Sequence, residues 1–169
     1  MRWVETEFSD LKVLIVNAFP EFRTIMRGFL GDIGIYETYT ADNSARALMF
    51  IPELKPDMAI LDKFIRPVDG VKLTKYIRSD ANSPRPDLPI VLLATFWRPD
   101  GLYEARDAGV SEVVAKPFTA NALLSHVKAA MHAPRPIIAT GKHIGPDRRR
   151  REDIFYFNER RRSRIRAAA

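Results

Sequence analysis

The feature that most constrains this chain is an alternation, repeated five times, of a short apolar run and a segment whose apolar residues recur every three or four positions. Leu11-Lys-Val-Leu-Ile-Val16 opens the series, and apolar side chains on successive positions are what a strand buried on both faces requires. After Pro20, the residues Phe22, Ile25, Met26, Phe29, Leu30 and Ile33 predict one face of an amphipathic helix, closed by Gly34. The pattern predicts further strands at Glu37 to Ala41, Met58 to Leu61, Ile90 to Ala94 and Val113 to Ala115. A second helix starts from a cap at Asp42 or Asn43 and is stopped by Pro52 or Pro56, and a third covers Val71 to Ile77. A fourth covers Pro99 to Ala108, and Thr119 caps a last one that turns Leu123, Leu124, Val127 and Ala130 inward.

Strands that alternate with helices are joined by right-handed crossovers, which build a parallel sheet between two helical layers. The expected fold is α/β: a flavodoxin-like, doubly wound, five-stranded parallel sheet with helices on both faces and a C-terminal extension. Functional groups in such a sheet gather beyond the carboxyl ends of the strands, near the point where strand order reverses. The residues at those positions are Asn17, Ala18, Asp62, Thr95 and Lys116.

Composition removes several function classes. With 46% hydrophobic residues, the 169-residue chain can bury a core. Cysteine is absent, which excludes disulfides, thiolate metal sites and thiol nucleophiles. His126, His132 and His143 are dispersed, so neither a metal site nor a hydrolytic triad is expected, and the chain is read as a non-enzyme. The first ten residues carry three acids, and the longest uncharged apolar stretch, Leu88 to Trp97, is too short to cross a bilayer. A cytoplasmic protein is expected.

Charge divides the chain. Residues 1–141 balance 17 basic against 17 acidic side chains, whereas residues 142–169 hold 10 against 4, so the end of the chain carries the whole net charge of +6. The expected organisation is an N-terminal lead at 1–10, a domain at 11–132, a Pro/Gly linker at 133–147 and an Arg-rich tail at 148–169.

The segments VLIVNAFPEFR, PDMAILDKFIRPVDG, PIVLLATF and AGVSEVVAKPF together resemble the receiver domain of bacterial two-component response regulators. The resemblance covers residues 10–132, and no Gly-rich phosphate loop follows the first strand to suggest a nucleotide-binding version of the fold. It implies that Asp62 occupies the phosphoacceptor position, with Thr95 and Lys116 completing the phosphoryl pocket. It also implies protein partners: a histidine kinase, a phosphotransfer protein or a downstream target. The usual docking face, on the fourth helix, fifth strand and fifth helix, would use Trp97, Leu102, Tyr103, Val110 and residues near His126.

The chain departs from the family pattern where receivers place two acids after the first strand to hold Mg²⁺. Those positions are Asn17 and Ala18. Phosphoryl transfer to a carboxylate crowds negative charge that a divalent cation normally offsets, and Mg²⁺ is held by carboxylates in near-octahedral geometry. The Mg²⁺ site is therefore expected to be degenerate, with no cofactor. Lys116 should pair with Asp62, and phosphorylation should be impaired; the competing reading makes Asp62 a leftover structural carboxylate. Phe96 stands where receivers keep a small residue, which either narrows the pocket or packs against Trp97 or Phe64. Val113 stands where many receivers carry an aromatic that swings inward, a motion a β-branched side chain cannot make. Pro67 falls one place later than in the common pattern.

The tail sets Arg148, Arg149, Arg150 and Arg151 before Ile154-Phe-Tyr-Phe157, and Arg160, Arg161, Arg162 and Arg164 after it, with no lysine between 145 and 166. Guanidinium groups fork onto phosphates and aromatics such as Tyr156 stack on bases. Arg-rich extensions of this kind look like those of CheY-like effectors that bind cyclic di-GMP. Three readings stand: a cyclic dinucleotide ligand, another polyanion such as nucleic acid, and a solvated charged extension. The chain is thus expected to be a single-domain receiver of a two-component phosphorelay, acting through protein–protein interaction. The alternative is a cyclic di-GMP or nucleic-acid effector acting through its tail.

Overall fold

The computed structural model describes residues 8–79, 81–95, 99–132, 137–140 and 143–146. The elements are β1 (Val13–Val16), α1 (Pro20–Asp32), β2 (Thr38–Ala41), α2 (Ser44–Leu54), β3 (Met58–Asp62), α3 (Gly70–Ser79), β4 (Ile90–Ala94), α4 (Pro99–Ala108), β5 (Glu112–Ala115), α5 (Ala120–His132), β6 (Ile137–Thr140) and β7 (His143–Pro146). β1 to β5 form one sheet in the order β2-β1-β3-β4-β5, with every neighbouring pair parallel. This is the doubly wound sheet that the alternation predicts.

Strand periodicity sorts the core into two layers. Leu14, Val16, Ala59, Leu61, Ile90 and Leu92 pack toward α2, α3 and α4. Val13, Ile15, Met58, Ile60, Val91 and Leu93 pack toward α1 and α5. Because successive side chains alternate faces and both faces are covered, each central strand must be apolar throughout. The chain leaves β1 toward β2 on one side and returns to β3 on the other. The loops after β1 and β3 therefore diverge, opening a crevice at their carboxyl ends.

Local chemistry sets the helix ends. Pro20 begins α1, where its fixed φ suits the first turn and its missing N–H costs nothing. Asn43, rather than Asp42, caps α2 by accepting from the Arg46 amide at 2.8 Å. Pro52 does not stop this helix, which runs on to Leu54; Lys55, ahead of Pro56, turns to the left-handed region at φ 49°. Thr119 accepts from the Ala122 amide at 3.2 Å ahead of α5.

Three expectations need correction. Ile25 is 53% exposed: it sits about 100° around the helix from Met26, at the margin of the buried face. The lead at 1–10 contributes to the core, since Phe8 is buried against the α5 layer and its ring lies 5.4 Å from that of His132. The 133–147 stretch, expected as a Pro/Gly linker, carries the antiparallel hairpin β6–β7. Ile137, Ile138 and Thr140 favour strand, and the two residues between the strands, Gly141 and Lys142, match a hairpin's Gly-X spacing. β7 lies alongside α3 and α4. Among the described residues, no helix is long and apolar enough to cross a membrane.

Candidate functional site

Register brings the candidate residues together. Val16 pairs with Leu61 across β1 and β3, so Asn17 and Asp62 leave adjacent strands at the same level. Ala94 pairs with Ala115 across β4 and β5, which places Thr95 and Lys116 at the same end of the sheet. Asp62 is only 5% exposed, and a carboxylate at that depth needs compensation.

Three donors supply it. The Asn17 amide Nδ2 donates to Asp62 Oδ2 at 2.6 Å. Lys116 Nζ donates to the same oxygen and forms an ion pair with it. The Phe64 amide donates to Asp62 Oδ1 at 2.8 Å. Asn17 works in both directions, because its Oδ1 accepts from the Phe19 amide at 2.8 Å. The carboxylate is thus tied through Asn17 to the loop after β1 and directly to the loop after β3.

Other contacts fix this arrangement. The Phe22 ring, in the first turn of α1, lies 4.0 Å from Lys116 Nζ, a cation–π contact on the ammonium that pairs with Asp62. Phe22 meets Phe118 edge to face, and Phe118 meets Phe29 in the same way. The Arg23 guanidinium donates to the carbonyls of Asn17 at 2.7 Å and Ala18 at 3.2 Å, pinning the loop after β1. Beneath Asp62, Gly70 leaves room for its backbone: a Cβ there would stand 2.5 Å from the Asp62 carbonyl oxygen and 2.8 Å from Leu92. Asp69 starts α3 by accepting from the Lys72 amide at 2.8 Å. Ser44 ties the intervening loop to α2, donating to the Arg66 carbonyl at 3.0 Å and accepting from the Val68 amide at 3.1 Å.

Ala18 and Thr95 are exposed at the mouth. Asn17 contributes an amide and Ala18 a methyl group, so Asp62 is the carboxylate at the ends of β1 and β3. Among the described residues, no group of three or more His, Asp or Glu side chains is arranged to hold a metal ion. With the Lys116 ammonium on its Oδ2, this donor set does not fit Mg²⁺, which requires several oxygen ligands.

The contributions of Phe22, Arg23 and the Phe64 amide are not visible as site features in the sequence. Phe22 belongs to the apolar stripe of α1, and its second role arises because its ring also meets Lys116 and Phe118 just after β5. Of the expected docking residues, Tyr103 is half exposed, while Val110 is 1% exposed and packs into the core beside α4, so it cannot contact a partner. His126 faces Glu112, with Nδ1 3.2 Å from the carboxylate. Phe96, Trp97 and the tail residues Arg148, Arg149, Arg150, Arg151, Tyr156, Arg160, Arg161, Arg162 and Arg164 lie outside the described residues.

Comparison with known proteins agrees with this geometry. The family model of the response regulator receiver domain matches residues 13–128. Chemotaxis protein CheY-3 of Vibrio cholerae is 32% identical over 115 residues, covering 68% of this chain and 87% of that protein. Chemotaxis protein CheY of Pseudomonas aeruginosa is 30% identical over 118 residues, covering 70% of this chain and 94% of the relative. Among solved structures, the chemotaxis response regulator CheY4 of Vibrio cholerae superposes with a TM-score of 0.64 at 27% identity, covering 72% of this chain and 98% of that one. A two-component response regulator from Clostridium difficile gives 0.64 at 27% identity, covering 73% and 97%. With a matching sheet order, Asp62 ending β3 and Lys116 following β5, this chain belongs to the response regulator receiver family of two-component signalling.

Proposed function

We propose that this receiver signals by protein–protein interaction with its phosphoryl site arrested, so that metal-dependent phosphorylation is slow or lost. The observation that carries this reading is the state of Asp62, whose two oxygens accept from Asn17, Lys116 and the Phe64 amide. An incoming phosphoryl group would have to displace the ammonium from the nucleophile, and no second carboxylate at the ends of β1 and β3 helps to recruit a cation against the gathering negative charge. Partners on this reading are a histidine kinase, a phosphotransfer protein or a downstream target that reads the receiver surface.

Labelling with acetyl phosphate and Mg²⁺, followed by phosphate-affinity electrophoresis, tests the proposal. Little or no shifted band is expected, and Asn17→Asp with Ala18→Asp should recover part of the labelling. Rapid, stoichiometric modification that disappears in Asp62→Asn would overturn it.

A second reading is favoured by the charge division, since all of the net +6 lies in residues 142–169. Here the arginines and Tyr156 bind an anionic ligand with a stacking face, such as cyclic di-GMP or nucleic acid. Calorimetric titration of cyclic di-GMP into the full chain and into a Tyr156→Ala variant separates the two: a dinucleotide should lose affinity in the variant. A polyanion held by charge alone should instead weaken steeply with salt.

A further inference from the structure

The Lys116 ammonium has a second partner besides Asp62. Its backbone is fixed where β4 and β5 end, with the Lys116 amide donating to the Ala94 carbonyl at 2.7 Å. From there a flexible four-carbon stem must be kept in one conformation against its rotamer entropy. The ammonium meets both the Asp62 Oδ2 that also accepts from Asn17 and the face of the Phe22 ring, whose centroid is 4.0 Å from Nζ. A ring face attracts a cation, and more strongly where water is excluded; the Lys116 side chain is only 18% exposed.

The ring is itself built into place. Arg23, the next residue, donates to the carbonyls of Asn17 and Ala18 at 2.7 and 3.2 Å, and its amide bonds to the Phe19 carbonyl at 3.2 Å, which fixes the first turn of α1. Phe118, from the loop that carries Lys116, meets the Phe22 ring at 85° with 6.5 Å between centroids. Phe29, further along α1, meets Phe118 in turn at 6.3 Å. A leucine at position 22 could satisfy this packing, but it has no π face to offer a cation.

We propose that Phe22 is a positioning residue that holds the Lys116 ammonium on Asp62, a second lock on the phosphoryl site besides the missing acid pair. The inference rests on the arrested reading of the site and deepens it. Acids introduced at positions 17 and 18 supply carboxylates for a cation, but they leave the ammonium held against the nucleophile. Recovery of labelling in Asn17→Asp with Ala18→Asp is therefore expected to stay partial while Phe22 is in place.

Limited acetylation of the full chain with acetic anhydride, read residue by residue by mass spectrometry against the exposed Lys75, reports how freely Lys116 leaves its partners. It needs neither Mg²⁺ nor a phosphoryl donor. Phe22→Leu should raise the relative rate at Lys116 about fivefold, and Phe22→Tyr, which keeps the ring face, should hold the wild-type rate. Phe29→Leu thins the same aromatic cluster, but the Phe29 ring meets Phe118 and not Lys116, so this variant should lower stability without changing the rate. Equal Lys116 rates in wild type and Phe22→Leu, or an equal rise in Phe29→Leu, would overturn the proposal and leave the arrest itself standing. Adding Phe22→Leu to Asn17→Asp with Ala18→Asp should speed acetyl phosphate labelling several-fold over the acid pair alone. Equal labelling in the two, including none in either, would also overturn the second lock. Rapid labelling of the wild-type chain would instead overturn the arrest, with the acetylation rates still deciding what Phe22 does to Lys116.

Discussion

Two buried charges, one at each end of the sheet, are compensated in opposite ways. Asp62, at the carboxyl end of β3, meets a counter-ion and an amide from side chains just after two other strands, with the Phe64 backbone amide as a third donor. Arg78, near the end of α3, is 2% exposed and meets backbone instead. Its Nε donates to the Gly109 carbonyl at 3.1 Å, one terminal nitrogen to Pro86 at 2.8 Å and the other to Leu88 at 2.6 Å. Burial pulls the Arg78 pKa down to about 10, partly offset by the Asp87 charge, so the guanidinium stays cationic at neutral pH. Gly109, at φ 93°, completes that seat: a Cβ there would stand 2.9 Å from Arg78 Cγ. Side-chain partners can be exchanged one substitution at a time, as Asn17 and Ala18 illustrate, whereas backbone partners cannot. The Asp62 end is therefore open to functional change, and the Arg78 end belongs to the architecture.

The largest expected effect follows from the backbone-held charge. Arg78→Ala strands three carbonyls and opens a cavity between α3, α4 and the loop before β4, at a cost on the order of 3–5 kcal/mol. Arg78→Lys should recover only part of this, since one ammonium cannot span three diverging carbonyls. The cost should also be nearly constant from about pH 5 to pH 9, because Arg78 keeps its proton throughout that window. Urea melts of both variants measure it. A loss in Arg78→Ala below about 1 kcal/mol would mean that the carbonyls find other donors and the contrast with Asp62 fails.

At the other end, Lys116→Ala leaves Asp62 with the amides of Asn17 and Phe64 but no cation. The expected loss is on the order of 1–3 kcal/mol. Asp62→Ala with Lys116→Ala should cost less than the sum of the single changes, since the ion pair is then counted once. Strict additivity in the denaturant melts would show that the two groups do not stabilise each other.

The layered sheet was legible because strands buried on both faces must be apolar at every position. Val13–Val16, Met58–Leu61 and Ile90–Ala94 accordingly stand out as continuous runs. Asn17, Asp62, Thr95 and Lys116 were legible for a related reason: a parallel sheet delivers the residues after its strands to one edge. What periodicity could not show depends on where remote backbone arrives. Arg78 reads locally as a basic residue in the last turn of α3, and its burial follows only from the carbonyls of Gly109, Pro86 and Leu88. The family resemblance puts Val110 on the docking face, yet its amide bonds to the Ala105 carbonyl at 3.1 Å and its side chain folds into the core. The β6–β7 hairpin was obscured by the prolines around it, although Ile137-Ile138 and the Gly141-Lys142 spacing carried its signal.

The smallest expected effect is also the one that sharpens the comparison most, because it touches a single side-chain partner of Asp62. Asn17→Ala removes one donor to Asp62 and the acceptor for the Phe19 amide, at a cost of about 1 kcal/mol. Asn17→Asp, nearly isosteric, instead places a second carboxyl group where the amide now touches Asp62 Oδ2 at 2.6 Å. Like charges at that distance raise the folded-state pKa of one member of the pair above its unfolded value. The folded state then binds more protons than the unfolded chain, so stability falls as pH rises through the unfolded carboxylate range and up to the raised pKa. Melts at about pH 5 and about pH 7.5 should show Asn17→Asp losing stability relative to wild type with rising pH, while Asn17→Ala stays parallel to wild type. Added Mg²⁺ should restore part of the loss at the higher pH in Asn17→Asp with Ala18→Asp, where a carboxylate set suited to the ion has been rebuilt. If Asn17→Asp follows wild type at both pH values, Lys116 alone absorbs the extra charge, and the amide at position 17 is not what holds Asp62 in its present state.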